Sequence, residues 1–183
     1  MKFITTTLKD LMIIEPEPFY DNRGYFGRIY CKNELKEIKY FKEIVQMNQS
    51  LTKKKGTVRG MHFQYPPYAE IKMIKCIVGS VFDVAVDIRK GSPTFLKWYG
   101  EILTAENMKM IYIPEGFAHG FQTLEDNCEL LYLHTEFYNK NYESGLKYND
   151  PRLNIKWPLK VTEISKRDNE HDLIDDNFEG ILL

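Results

Sequence analysis

The sequence has few cysteines and histidines, and it has no long apolar run. Its 183 residues include only Cys31, Cys76 and Cys128, which are scattered and odd in number, so reduced thiols are expected rather than a disulfide framework. No apolar run approaches the roughly 20 residues that span a membrane. Residues 1–21 lack the apolar segment and small-residue cleavage site of a signal peptide. These absences predict a cytoplasmic protein with no membrane partner.

Neither sign of charge is in excess. The chain has 25 Lys and Arg against 26 Asp and Glu, a formal net charge of −1, so no nucleic-acid partner is expected. No repeat, low-complexity segment or linker divides the chain, and its length suits a single domain over residues 1–183. Tyrosine and phenylalanine are abundant, with 12 and 11 copies, which favours strands over a helix bundle.

Short strand patterns separated by glycine, proline and polar turns dominate the first three quarters of the chain. Asp21-Asn22-Arg23-Gly24 predicts a turn, and Gly79-Ser80 predicts a hairpin between two central strands. Short helices are predicted at Asn33–Phe41 and around Glu163–Asp168. The pattern is typical of an all-β sandwich or barrel. The predicted strands are Met12–Ile14, Lys72–Val78, Val81–Ile88, Trp98–Leu103, Met110–Ile113, Gly120–Thr123 and Glu129–His134.

Histidine is the first candidate for chemistry, because the chain has only four. In Arg59-Gly60-Met61-His62-Phe63-Gln64, alternation places His62 and Gln64 on one strand face, with Arg59 nearby. His62 could serve proton transfer, or it could be a core histidine bonded to a backbone carbonyl. The local sequence supports both interpretations equally.

A second histidine follows a tight turn in Pro114-Glu115-Gly116-Phe117-Ala118-His119-Gly120. Two histidines on strands, His62 and His119, are similar to the two motifs of the cupin barrel. Metal-binding cupins carry a second histidine two residues after the first, where this chain has Gln64, a poor ligand for transition metals. We therefore expect no metal, which leaves His62 free for proton transfer.

Several further segments, in order along the chain, resemble the dTDP-4-dehydrorhamnose 3,5-epimerase family, which are nucleotide-sugar epimerases of the metal-free cupin type. The resemblance runs from about Glu15 to Asp168 and implies an all-β, cupin-type jelly-roll barrel with a few short peripheral helices. The matching segments are Asp21–Phe26, Gln46–Ser50, Gly56–Gln64, Val81–Arg89, Ser92–Phe95, Ile113–Phe121 and Tyr148–Pro158.

The resemblance implies catalytic roles for four residues. His62 corresponds to the general base of the family, and Asp168 to a C-terminal aspartate that pairs with it, with Asp83 as an alternative partner. Tyr132 corresponds to the proton donor on the opposite face of the sugar. Lys72 corresponds to a lysine near the sugar ketone, where a cation would stabilise the enolate oxygen.

The resemblance also implies a binding surface and a dimer. The segment around Arg23 and Phe26 would reach into the site of a partner copy, and Tyr138 corresponds to an aromatic residue that stacks on the nucleotide base. Arginine suits phosphate because its planar fork donates in pairs. The positions expected to hold nucleotide, diphosphate or sugar are Arg23, Gln46, Asn48, Arg59, His119, Glu143 and Arg167.

The implied reaction is epimerisation at C3, C5 or both of a nucleotide-diphosphate 4-keto-6-deoxy sugar, with no cofactor, for the synthesis of capsule or lipopolysaccharide precursors. Both carbons flank the ketone, so their protons are acidified. His62 would remove a proton to leave an enolate, and Tyr132 would return one to the other face.

Two departures from the family pattern leave the substrate open. Arg28 stands where the family usually carries glutamate in its base-binding region, and arginine can only donate, so GDP is a candidate in place of dTDP. Residues 169–173 replace the family's small residues and proline. The alternatives are a C3-only or 3,5-epimerase of a GDP-linked 4-keto heptose, a 3,4-ketoisomerase, and a sugar-nucleotide-binding module without turnover.

Overall fold

Strands account for most of the regular structure in the computed structural model, which describes residues 1–40 and 42–183. The strands are short, as the closely spaced turns predict. They are β1 Lys2–Thr5, β2 Met12–Glu15, β3 Phe19–Asp21, β4 Gly24–Phe26, β5 Gln46–Thr52, β6 Val58–Gln64, β7 Lys72–Val78, β8 Ser80–Asp87, β9 Trp98–Thr104, β10 Met110–Ile113, β11 Phe117–Thr123, β12 Cys128–His134 and β13 Glu143–Gly145.

Two antiparallel sheets face each other and carry most of these strands. The first has the order β1-β2-β10-β7-β12-β5, and the second has the order β13-β6-β11-β8-β9. Strands β3 and β4 form a separate ribbon around the predicted turn at residues 21–24. The arrangement confirms the all-β class, with sequence-distant strands as neighbours in both sheets.

Apolar side chains from both sheets fill the space between them, and additional apolar layers cover the outer faces. The inner core includes Ile74, Ala85 and Leu130. Chain segments near the C-terminus cover the outside of the second sheet, where Val84 and Val86 are buried. Because β8 is covered on both faces, the side chains on both of its faces are buried, although they point in alternate directions.

The predicted hairpin at Gly79-Ser80 is wrong. β7 pairs with β10 and β12 in the first sheet, whereas β8 pairs with β9 and β11 in the second. Gly79 instead forms a corner that carries the chain from one sheet to the other. Its φ is +77°, and a Cβ there would lie 2.9 Å from Cys128 Sγ, so glycine suits this position. The turn residues alone do not show whether the two strands pair with each other, as in a hairpin, or belong to different sheets.

Helices are few and short. The helix expected at residues 33–41 is present as α1, Lys32–Leu35, followed by a 3₁₀ turn at Lys36–Ile38, while Phe41 lies outside the described residues. The C-terminal helix is present as α2, Lys166–Asn169, somewhat later than expected. Among the described residues, no helix has the length and apolar character needed to cross a membrane.

Candidate active site

A cavity of about 600 Å³ opens between the two sheets and contains most of the predicted site residues. They reach it from strands of both sheets and from the loop after β12. The cavity brings together Gln46, Asn48, Arg59, His62, Lys72, His119, Tyr132, Tyr138 and Glu143.

A bulge in β6 turns two of these side chains into the cavity. Arg59 pairs with Phe121 and His62 pairs with His119, so a three-residue step on β6 opposes a two-residue step on β11. The extra residue places Arg59 and His62 on the same face of the strand, which strict alternation would not do. Met61, between them, packs into the outer apolar layer.

Gly60 makes this bulge possible. Its φ is +127°, and a Cβ at this position would lie 2.5 Å from the Cα of Gly120, closer than any side chain could be placed. The two backbones therefore touch only because both residues are glycine. The same turn of the backbone directs the Gly60 N–H to Asp168 Oδ2, at 3.1 Å.

Asp168 pairs with His62 from a distant part of the chain. Its Oδ1 lies 2.8 Å from His62 Nε2, and α2 presents the carboxylate because the Ser165 hydroxyl caps the helix by accepting from the Asp168 N–H. Burial alone would raise the pKa of Asp168, but the bonds from His62 and from the Gly60 N–H outweigh burial and hold that pKa well below its usual range. The carboxylate is therefore ionised at neutral pH.

An ionised carboxylate can only accept, so the shared proton sits on His62 Nε2. Arg167 Nη2 also approaches Nε2, at 3.0 Å, but two donors cannot share that position. The guanidinium is oriented instead by its ion pairs to Asp168 Oδ1 at 3.4 Å and Glu143 Oε2 at 2.8 Å. His62 Nδ1, which has no hydrogen-bond partner in the described part of the chain, is left as the basic nitrogen.

Tyr132 projects into the cavity from the other sheet. It lies on β12, and its hydroxyl is 3.1 Å from the hydroxyl of Ser50 on β5. Burial raises the pKa of Tyr132 above its ordinary value, so the phenol remains protonated at neutral pH and can donate. His62 and Tyr132 thus line the same cavity from opposite sheets.

Lys72 lies beside Tyr132 in a charged network. Its Nζ is 3.2 Å from Glu70 Oε1 and also donates to the backbone oxygen of His62 at 3.4 Å. Glu70 Oε2 accepts from His134 Nδ1 at 2.6 Å. Burial would raise the pKa of Glu70, but the Lys72 charge and His134 lower it overall, which keeps a carboxylate next to the ammonium.

Comparisons with known proteins agree with this geometry. The dTDP-4-dehydrorhamnose 3,5-epimerase family model matches residues 5–176. The chain belongs to this family. A dTDP-4-dehydrorhamnose 3,5-epimerase from Shigella flexneri is 44% identical over 180 residues, which cover 97% of this chain and 99% of that protein.

Solved structures show the same fold. The dTDP-4-dehydrorhamnose 3,5-epimerase from Elizabethkingia anophelis aligns with a TM-score of 0.92 at 40% identity, covering 97% of this chain and 98% of that chain. The dTDP-6-deoxy-D-glucose-3,5-epimerase from Legionella pneumophila, in complex with dTDP-4-keto-L-rhamnose, aligns with a TM-score of 0.91 at 38% identity, covering 100% and 98%. The predicted family, the cupin-type jelly roll and the assignment as an isomerase are confirmed.

In this epimerase, Asp83 does not pair with His62 as the alternative prediction supposed. Asp83 is fully buried and lies 2.9 Å from His119 Nε2, across the β8–β11 pairing. Burial lowers the pKa of His119 even though Asp83 opposes the shift. His119 lines the cavity as a buried imidazole whose Nε2 is already bonded, which leaves Asp168 as the acidic partner of His62.

Gln64, at the position of the second cupin histidine, is held by backbone groups. Its Nε2 donates to the oxygens of Tyr68 and Phe137 at 3.0 and 3.3 Å, and its Oε1 accepts from the Asn139 N–H at 2.6 Å. The amide thus fixes the loop after β12. The absence of a catalytic metal remains a prediction.

The rim of the cavity carries a chain of polar contacts. The Tyr138 hydroxyl donates to Glu143 Oε2 at 2.9 Å, and the same oxygen accepts from Arg167. The Tyr138 N–H donates to Gln46 Oε1 at 3.1 Å. These contacts join the loop after β12 to α2, and they leave the aromatic ring of Tyr138 exposed.

Of the four predicted binding residues that do not line the cavity, Arg167 lies at its rim and the other three lie on or near the β3–β4 ribbon. The Arg23 side chain is 90% exposed and pairs with Asp21, and Phe26 is 78% exposed on the β3–β4 ribbon. Arg28 pairs with Glu34 instead of reaching the cavity. A single chain does not bring these three residues to the site, so their place in the site of a partner copy remains a prediction.

Sequence reasoning missed three residues that contact the candidate catalytic groups, Ser50, Glu70 and His134, and a fourth, His171, that lies outside the cavity lining. Ser50 and His134 alternate with predicted residues on β5 and β12, so strand periodicity could have indicated them. Glu70 is in a loop before β7, and no local pattern marks it. His171 lies in the divergent tail, with its ring centroid 6.3 Å from that of His62.

Proposed function

We propose that the chain epimerises C3 and C5 of a dTDP-linked 4-keto-6-deoxy hexose. One observation carries the proposal. A histidine base aligned by a carboxylate and a protonated phenol face one cavity from opposite sheets. Inversion at a carbon requires removal of a proton from one face and delivery of a proton to the other, and this pair supplies both groups.

His62 Nδ1 accepts the proton from C3 or C5. Because the sugar ketone lies between these carbons, the electrons of the broken C–H bond move into an enolate. The imidazolium that forms is stabilised by the Asp168 carboxylate on Nε2, 2.8 Å away.

Tyr132 then donates its hydroxyl proton to the opposite face of the carbon, and the enolate collapses to the ketone. The cycle leaves His62 protonated and Tyr132 ionised, and exchange with solvent resets both groups before the second carbon reacts. The Ser50 hydroxyl, 3.1 Å from the phenol, provides a first step for that exchange.

Lys72 stabilises the negative charge that develops on the ketone oxygen. A fixed ammonium in a partly desolvated site is worth more than the same charge in water. The ion pair with Glu70 fixes the position of the Lys72 ammonium before the substrate binds.

Arg59, Arg167 and Tyr138 are proposed to hold the nucleotide half of the substrate. The two arginines supply donor pairs for the diphosphate, and the exposed ring of Tyr138 offers a stacking surface for the base. The similar proteins from Shigella flexneri and Elizabethkingia anophelis are epimerases of a dTDP sugar, which favours dTDP over GDP despite Arg28. A homodimer that shares the β3–β4 ribbon, a cytoplasmic location and a role in surface polysaccharide precursor synthesis are further parts of the proposal.

The test is incubation of the protein with a dTDP-linked 4-keto-6-deoxy hexose in D2O, followed by NMR of the product. Deuterium at both C3 and C5 with inverted configuration is the expected result. Deuterium at C3 alone would restrict the reaction to one carbon. No incorporation with any 4-keto nucleotide sugar would leave a binding module and overturn the proposal.

A further inference from the structure

The imidazole of His171 lies beside the His62–Asp168 pair, although the proposed reaction does not use it. His171 follows α2 in the divergent tail and packs under β13. A Cβ at Gly145 would lie 2.3 Å from His171 Nε2, so glycine at that position makes room for the ring. His62, Asp168 and His171 each present one ligand atom, and all three atoms lie within 4.8 Å of one another.

The His171 ring has an unused nitrogen. Its Nε2 is buried and has no hydrogen-bond partner in residues 1–40 and 42–183. Buried polar atoms in proteins are almost always bonded to protein, water or an ion. The His171 ring therefore has bonding capacity that the described residues do not use, and one of its nitrogens lies within 4.8 Å of the ligand atoms of His62 and Asp168.

The geometry points to a site where His62, Asp168 and His171 bind a divalent transition metal of the zinc class, and where that metal inhibits the enzyme. Two imidazoles and one carboxylate, with water in the fourth position, form a common ligand set for Zn²⁺. Zinc–ligand bonds of about 2.0–2.1 Å place neighbouring ligand atoms about 3.3 Å apart. When a metal binds, the 2.8 Å distance between His62 Nε2 and Asp168 Oδ1 must increase slightly. Ligand atoms that are farther apart, up to 4.8 Å, must move closer together.

Metal binding changes the tautomer of His62. The metal takes the lone pair of Nε2, so the proton that Nε2 shared with Asp168 moves to Nδ1, and no net proton is lost from the neutral ring. Nδ1 then carries a hydrogen and cannot accept one from the substrate. This inhibitory consequence rests on the proposed function, whereas the binding of the metal does not.

Arg167 opposes the metal. Its Nη2 lies 3.0 Å from His62 Nε2, and its side chain is 54% exposed, so the guanidinium can move aside but resists a second cation. Removal of its charge should therefore tighten metal binding. The site shares only His62 with the cupin metal position, because neither Gln64 nor His119 contributes to it.

Binding is tested with Zn²⁺ in competition with a chromophoric chelator, using the full chain freed of metal. Wild type should bind one Zn²⁺ per chain, His171→Asn should bind at least tenfold more weakly, and Arg167→Gln several-fold more tightly. His134→Gln removes a cavity imidazole outside the cluster and should leave the affinity unchanged. Equal affinity in wild type and His171→Asn would overturn the site.

Inhibition is tested on the deuterium exchange of the metal-free enzyme. Zn²⁺ should stop exchange in wild type at the concentrations that saturate binding, and a chelator should restore it. His171→Asn, whose melting temperature checks its folding, should be active and resistant to Zn²⁺, and His171→Gln repeats the test with a different side chain. Equal inhibition of wild type and both variants would refute the inference. Specific Zn²⁺ binding by a protein that exchanges no deuterium would contradict only the proposed reaction.

Discussion

Glu70 and Lys72 form an ion pair on the wall of the cavity opposite His62, with 3.2 Å between Oε1 and Nζ. The Glu70 side chain is 8% exposed and also accepts from His134, so it is fixed on two sides. Lys72 in turn reaches across the cavity to the backbone oxygen of His62. The pair therefore ties Lys72, the proposed enolate-stabilising cation, to the strand that carries His62, the proposed base.

Glu70→Gln should lower kcat about 10- to 100-fold with little change in KM, because the cation loses its fixed place while the nucleotide contacts remain. Steady-state kinetics checks this prediction. Glu106→Gln changes an exposed acid in the loop between β9 and β10 and should leave both constants unchanged. A raised KM with normal kcat would show instead that Glu70 contributes to ground-state binding.

Asp168→Asn should reduce the rate about 10²- to 10⁴-fold, because the amide neither selects the Nε2–H tautomer nor stabilises the imidazolium. The depressed pKa of Asp168 keeps the carboxylate ionised from pH 5 to pH 9, so this residue should add no inflection to the wild-type pH–rate profile in that range. A pH–rate profile of both proteins provides the measurement. A variant with near-normal activity would show that His62 does not need its partner.

Asp87 gives a pH-dependent prediction for the fold. Burial would raise the pKa of this fully buried carboxyl, but hydrogen bonds from Arg89, Ser92 and Thr94 lower it overall. A depressed folded-state pKa contributes stability above the unfolded value of about 3.9, and this stability is lost as the pH falls through the folded-state pKa.

Asp87→Asn should therefore lower the free energy of unfolding by about 3 kcal/mol at pH 7, and the difference from wild type should shrink below about pH 4. Urea unfolding at several pH values measures both effects. Asp10→Asn removes the exposed partner of Arg89 and should cost less than about 1 kcal/mol. A difference that stays constant down to pH 3 would contradict the assignment.

The sequence predicted more of the chemistry than of its arrangement. Strand periodicity located β7, β10 and β12 closely, and the family resemblance named His62, Tyr132, Lys72 and Asp168. The resemblance could not show that Asp168, 106 residues from His62, is fixed by the Gly60 N–H, because that contact depends on a bulge. Gly79 shows that local sequence also does not determine strand pairing, since a turn of this length can form a hairpin or a corner between two sheets.

The position of Arg28 could not be derived from its residue type. Arginine in place of glutamate suggested a guanine ligand, but in the single chain Arg28 pairs with Glu34, away from the cavity. The function of an exposed ribbon depends on what it contacts, which local sequence does not specify. The catalytic candidates were named by the family resemblance, and the structure shows how their strands and α2 bring them together.

Nucleotide choice is tested by thermal unfolding with dTDP and with GDP. At equal concentration, a ligand that binds only the folded state raises the melting temperature more when it binds more tightly. dTDP should give the larger increase at equal concentration, in agreement with the family. A larger increase with GDP would contradict the choice of dTDP and support the guanine hypothesis based on Arg28.

The central claim is that His62 and Tyr132 act on opposite faces of the same carbon, and Tyr132→Phe in D2O tests it most directly. Without the phenol, His62 should still remove the proton and return deuterium to the same face, so the sugar should gain deuterium without inversion. His62→Asn should abolish both incorporation and inversion. Inverted product from Tyr132→Phe at a rate close to that of wild type would contradict the account.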